Sequence, residues 1–293
     1  MTKLPSDGEL KAALDDVLFR CPRTARVARD PVGIVRRFRL PAEQEVVGLL
    51  ASTFAFGNVT TILQKVEDAL ARVGTPLLRR IDALGLPGLI TAFEGFRHRL
   101  FVGEDVARLL YGARRVQREA GSLGSAFAAA LAASGEGSGP DLQQALAAFV
   151  TRIRDAGGLV TGGKRRGPAH MLPDVLRGSG AKRLLLYLRW MVRAEDGVDL
   201  GLWPVPASAL VIPVDTHIQK LAQNLGLTRR TDTSWKTATE ITARLRRFDP
   251  GDPVKYDFSL CHLGMVQQCP SRRDAEACEG CGVRPICRHW RSR

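Results

Sequence analysis

Four cysteines near the end of the chain, Cys269, Cys278, Cys281 and Cys287, form a C-x8-C-x2-C-x5-C run. Thiolates are soft, strongly donating ligands, and four of them in so short a segment suit an iron-sulfur cluster or a structural Zn²⁺. Ligand count does not separate the two, although the unequal spacing fits zinc ribbons poorly, since those usually pair two close CxxC knuckles. A disulfide pair is the alternative, and it is weakened by the absence of the N-terminal signal peptide expected of a secreted cystine-rich protein. Cys21 and Cys261 are isolated from this run, and a small buried apolar role is expected of both.

Two further segments carry chemical potential. Gly178-Ser179-Gly180-Ala181-Lys182 precedes an apolar helix expected from Leu184 to Val192. Glycines there let a backbone approach a phosphate, and the helix N-terminus adds its positive dipole end. A G-x-G turn before a helix is common by itself, and Lys182 reads equally well as a surface lysine. Downstream, Val214-Asp215-Thr216-His217 follows an apolar run and opens a helix expected from Ile218 to Leu225. Asp215 is therefore a natural N-cap, accepting backbone N–H bonds from Thr216 or His217 onward. His217 is expected to pack or bond locally and receives no chemical role. A basic, glycine-rich loop with Lys164, Arg165 and Arg166 suits either phosphate contact or a solvated surface.

The elements that must position these residues read as helices. Apolar residues recur three and four apart, and alternating β-branched runs are nearly absent, so the expected fold class is all-α. Ser6 or Asp7 caps a first helix to about Arg20, and Pro41 sits at N1 of a second carrying Val46, Val47, Leu49 and Leu50. Gly57-Asn58 interrupts that pattern before Val59 to Val73 resumes it. Further helices are expected at about 76–84, 86–94, 104–119, 123–133 and 142–155, with a flexible connection over Ser134 to Pro140. The chain has 293 residues, 45% of them hydrophobic, enough for one large or two modest domains. No apolar run approaches the ~20 residues of a spanning helix; no membrane association is expected, and a cytoplasmic, nucleoid-associated location is. The net charge of +13 favours polyanionic partners, of which nucleic acid is the commonest.

The order G-x-G-x-K, then V-D-T-H, then a helix, then the four terminal cysteines resembles the helix-hairpin-helix DNA glycosylase superfamily, and in the C-terminal half its endonuclease III branch. DFSLCHLG, from Asp257 to Gly264, resembles the helix preceding the cluster loop of that branch. KRLLLYLRWMVR and PVDTHIQKLAQNLGL also resemble a family of uncharacterised bacterial proteins in this superfamily. The resemblance covers about Met171 to the C-terminus. Two features depart from endonuclease III: the first cysteine spacing is longer here, and 33 positions separate Lys182 from Asp215. The longer separation is similar to the archaeal 8-oxoguanine glycosylase branch, which lacks the cluster.

The resemblance implies two helical domains, one of residues 41–200 ending in the hairpin and Lys182, the other of residues 1–40 plus 201–293 with the four-cysteine cluster loop. The active site would lie between them, Lys182 on one wall and Asp215 on the other. It implies a [4Fe-4S] cluster on Cys269, Cys278, Cys281 and Cys287, with Zn²⁺ as the alternative, in a structural role because four cysteines leave no open coordination position. Lys182 as a neutral amine would attack the sugar C1′ of a flipped, damaged nucleotide in double-stranded DNA, and Asp215 would stabilise the cationic sugar or take the lysine's proton. A Schiff base and β-elimination would follow, so the expected protein is a monomeric glycosylase and AP lyase, with an oxidised purine favoured as substrate. Gly178, Gly180, Lys164, Arg165 and Arg166 are the expected DNA contacts, and Arg272, Arg273, Arg284 and Arg288 would face phosphates from the cysteine loop. The alternatives are a non-enzymatic DNA-binding protein, a monofunctional glycosylase using water activated at Asp215, and a zinc-stabilised RNA-binding protein.

Overall fold

The computed structural model of the chain describes residues 5–135, 140–267, 269 and 273–291. Among these residues it is built of fourteen α-helices: α1 Asp7–Arg20, α2 Arg23–Val27, α3 Pro31–Val35, α4 Pro41–Phe54, α5 Val59–Val73, α6 Leu77–Ala92, α7 Gly103–Ala120, α8 Leu123–Ala133, α9 Leu142–Gly157, α10 Gly167–Met171, α11 Lys182–Val192, α12 Thr216–Asn224, α13 Trp235–Arg246 and α14 Asp257–Gln267. The strands β1 (Arg97–His98) and β2 (Phe101–Val102) pair antiparallel, Arg97 opposite Val102 and His98 opposite Phe101. No helix among the described residues is long and apolar enough to cross a membrane.

Local chemistry sets most boundaries. Ser6 and Glu9 form a capping box at α1, and Pro41 stands in the first turn of α4. The Asn58 side chain caps α5, and Asp141 caps α9. The two helices expected at about 76–84 and 86–94 are present within the span of α6, separated where Gly85 leaves helical geometry at φ 58° and ψ −173°, two residues before Pro87. The flexible connection expected over 134–140 falls in part on 136–139, outside the described residues.

By their contacts the residues divide into two compact units. One comprises residues 1–26, 178–185 and 206–293, and the other residues 27–177 and 186–205. This differs from the expected division at 41 and 200 in one way that matters: Lys182 belongs to the same unit as Asp215, not to a different domain.

In the first unit, α1 buries Leu10, Leu14 and Val17 and packs on α14, which buries Phe258 and Leu260 and packs in turn on α12 with its buried Ile218 and Leu221; α13 buries Ile241 and Leu245. Each such side chain contributes about 1.5–3 kcal/mol on burial. Tyr256 donates to Asp15 Oδ1 at 2.6 Å, and Arg291 donates to Glu9 Oε1 at 2.8 Å, so two segments late in the sequence are tied to α1.

The second unit is organised around a buried carboxylate. Glu45 on α4 is 3% exposed. It accepts from Gln117 Nε2 (2.7 Å), from the backbone N–H groups of Leu123 (3.0 Å) and Gly124 (2.9 Å), and from Trp203 Nε1 (2.9 Å). The two backbone donors open α8, so the negative charge also meets a helix dipole. Four donors on one carboxylate answer the cost of burying it.

Glu45→Ala leaves Leu123 N–H, Gly124 N–H and Trp203 Nε1–H without acceptors and Gln117 with only the Ala42 carbonyl, and it should lower stability by about 3 kcal/mol or more in chemical denaturation. Glu45→Gln, which keeps the shape, should cost less. A second expectation concerns acid. The hydrogen bond from Arg291, then those from Ser6, hold the Glu9 carboxyl down from 4.5 to about 2. The folded value lies below the unfolded one, so this contribution is present above about 4.5 and lost as pH falls toward 2. Thermal unfolding should show a loss over that window, and Glu9→Gln should flatten it.

Candidate active site

Lys182 and Asp215 meet. The Lys182 Nζ lies 3.7 Å from Asp215 Oδ2, with side chains 32% and 23% exposed. Asp215 caps α12 through its other oxygen, Oδ1, which accepts the N–H groups of His217 and Ile218, each at 2.9 Å. The cap expected from the sequence is thus present, and it consumes only one oxygen. Oδ2 remains turned toward Lys182 and toward Cys261, whose Sγ lies 4.0 Å away. Cys261, expected to be a buried apolar filler, is half-buried beside a carboxylate; Cys21 is also only half-buried. No local feature of the sequence marks Cys261, because its neighbour is 46 residues away.

A chain of contacts explains why two residues 33 positions apart converge. Gln219 and Gln223 of α12 both donate to the carbonyl of Arg230, each at 2.9 Å. Arg230 pairs with Asp232 at 2.9 Å, and Asp232 Oδ1 accepts from Ser234 N at 2.9 Å and Thr237 Oγ1 at 2.6 Å. Hydrogen bonds from Ser234 and Thr237 hold the Asp232 carboxyl well below the usual carboxylate range. That loop receives the glycine turn: a Cβ on Gly180 would lie 1.9 Å from the Thr233 carbonyl oxygen, and Trp235 N reaches Gly178 O at 3.4 Å. Gly180 is glycine because backbone packs on it. Ala181 then takes φ 45° and Lys182 starts α11. On the next residue, burial pulls the Arg183 guanidinium down to about 10.

From the other side, α14 lies close on α12 at Gly264, where a Cβ would meet His217 Cβ at 3.2 Å and Leu221 Cδ1 at 3.1 Å. His217 therefore serves local packing. On α14, His262 Nδ1 stands 3.4 Å from Arg26 Nη1.

The basic loop belongs to the other unit. Arg165 is engaged there with Asp105, a buried carboxylate, and approaches Glu104 at 3.9 Å. Lys164 and Arg166 are exposed. Of the three expected phosphate contacts, Arg165 is thus already committed within the protein.

Cys269, Cys278, Cys281 and Cys287 line one small cavity with Leu221, Asn224, His289 and Trp290. Burial pushes the thiols of Cys269, Cys281 and Cys287 up, and the neighbouring cysteines push in the same direction. Among the described residues no group of three or more His, Cys, Asp or Glu side chains is arranged to hold a metal ion. The chemistry of the donor set nevertheless fits a metal-sulfur group, because four cysteine sulfurs line one cavity and soft thiolates are the ligands such a group takes. Asn224 Nδ2 donates to Cys269 Sγ at 3.2 Å. Arg273 and Arg284, expected to face outward, hold their guanidinium groups 4.2 and 3.9 Å from the Trp290 ring centre. Arg272 lies outside the described residues.

The geometry is that of an all-helical protein with an amine–carboxylate pair and a separate cysteine pocket. The chain belongs to the family described as Protein of unknown function (DUF2400), whose model matches residues 30–266. The match contains Lys182 and Asp215 and ends before Cys269. Neither the comparison with curated proteins nor that with solved structures gives a match.

Proposed function

We propose that the protein is a base-excision DNA glycosylase of the helix-hairpin-helix superfamily, with Lys182 as nucleophile and Asp215 as its partner. The observation that carries this reading is the 3.7 Å approach of Lys182 Nζ to an Asp215 oxygen left over from helix capping. The short helical turn Val175–Arg177, the Gly178–Ala181 turn and α11 supply the hairpin. The α11 N-terminus and exposed Lys164 and Arg166 supply cations and N–H groups for the phosphates, and the net charge of +13 adds a general attraction.

The chemistry follows from the two side chains. Lys182 gives a proton to Asp215 Oδ2, the nearest base, and its lone pair forms a bond to C1′ of a flipped nucleotide. The C1′–N bond breaks, and its electron pair leaves with the base, which takes up the proton that Asp215 accepted, so the carboxylate is restored. Opening of the sugar ring gives a Schiff base between Lys182 and C1′, and loss of a C2′ proton expels the 3′ phosphate. Asp215 Oδ1, pinned by two N–H groups, keeps the carboxylate fixed while charge develops on the sugar. The identity of the base is set by residues elsewhere, and an oxidised purine is the class favoured by the long Lys182-to-Asp215 separation.

Cys269, Cys278, Cys281 and Cys287 would hold a [4Fe-4S] cluster. When bound, such a group cross-links the loop and supplies no open position for water. The non-enzymatic and RNA-binding alternatives leave the Lys182–Asp215 pair without a task.

In single-turnover assays on duplexes each carrying one lesion, Lys182→Gln and Asp215→Asn should each slow base release by about 10³-fold or more on the preferred lesion while DNA affinity is retained. Unchanged rates in both variants would place the reaction elsewhere. DNA affinity should fall with salt at a log–log slope of roughly −4 to −7, as about five to eight neutralised phosphates require. The purified protein should be brown and contain iron and sulfide; stoichiometric zinc without either would replace the cluster by the zinc alternative.

A further inference from the structure

We propose that Asn224 is the positioning residue of the cysteine pocket: its side-chain N–H donates to the Cys269 sulfur, orients it toward a bound metal-sulfur group and ties that group to the helix that Asp215 caps. The inference rests on the metal-binding part of the reading above and is independent of the DNA chemistry.

Asn224 ends α12 and is 3% exposed, yet it is polar. A buried amide needs partners, and this one places Nδ2 3.2 Å from Cys269 Sγ. Its backbone carbonyl accepts the N–H of Arg288, next to Cys287, at 2.8 Å. One residue thus grips the first and last cysteines' neighbourhoods at once. An N–H donor 3.2 Å from a ligand sulfur fixes the direction in which that sulfur presents its remaining lone pairs.

Trp290 Nε1 and His289 Nε2 are buried without a hydrogen-bond partner among the described residues, and both residues line the cavity with the four cysteines. Trp290 is held by Arg273 and Arg284 across its ring. Four cysteine sulfurs lining one cavity, with two ring nitrogens left unpartnered on its lining residues, suit a metal-sulfur occupant. At its other end α12 is capped by Asp215, so the same nine-residue helix runs from the thiolate to the carboxylate.

The test reads the metal, not catalysis. Loaded wild-type protein and the variants Asn224→Asp, Asn224→Leu and Gln223→Ala are mixed with excess chromogenic chelator, and metal release and the visible absorption band are followed. Asn224→Asp keeps size and an acceptor but loses the donor; it should release metal about 10- to 100-fold faster and shift the band. Asn224→Leu should fall between it and the wild type. Gln223→Ala breaks a different hydrogen bond of the same helix end and should release metal at the wild-type rate. If Asn224→Asp does not fold, Asn224→Leu carries the comparison. Release rates within about twofold of wild type for the folded Asn224 variant overturn the inference, as does equal acceleration by Gln223→Ala, which would mean simple loosening of the helix. Wild-type protein that takes up neither iron-sulfur nor zinc overturns the metal reading and this inference together.

Discussion

The division of labour between the two oxygens of Asp215 governs the candidate site. Oδ1 satisfies two N–H groups at the start of α12, which fixes the carboxylate plane, and Oδ2 is thereby directed at Lys182. One side chain caps the helix and keeps an oxygen free for the proposed chemistry. A free carboxylate on a flexible stem would have to be ordered for each reaction; here the helix terminus has ordered it in advance. The same helix carries Gln219 and Gln223, which reach the Arg230 carbonyl and so the loop that receives the Lys182 turn. Lys182 and Asp215 are held by one network rather than by two independent supports.

Glycine at 180 is the second constraint on that network. The sequence suggests a turn made open for a phosphate, whereas the Thr233 carbonyl occupies the space where its Cβ would be. A glycine can meet either need, and the sequence alone does not say which backbone approaches it. The structural use does not exclude anion contact at the α11 N–H groups. It does mean that loss of Gly180 acts first on the position of Lys182.

Helix existence is legible wherever a local signal acts: the Ser6 capping box, Pro41 at a helix start, Asn58 before α5 and the V-D-T-H cap. Even α13, absent from the expected elements, carries its signal in Ser234 and in the spacing of Trp235, Ala238, Ile241 and Leu245. What is not legible depends on partners far along the chain. Glu45 looks like any polar helix residue, but its side-chain donors are 72 and 158 residues away. Arg165 looks free and is paired with Asp105, 60 residues earlier. Asn224 and Cys261 carry no spacing pattern. The sequence groups Lys182 with the central helices because the Gly180–Thr233 contact that holds it elsewhere has no sequence signature.

The central claim is that Lys182 Nζ becomes covalently joined to C1′ of a damaged nucleotide with Asp215 at its side. The most direct measurement is borohydride reduction during reaction with a lesion-bearing duplex, followed by proteolysis and mass spectrometry of the cross-linked peptide. The account predicts a stable protein–DNA adduct whose modified residue is Lys182. An adduct on another lysine, or release of free base with no adduct under any trapping condition, would contradict it; the second result would leave water at Asp215 as the nucleophile.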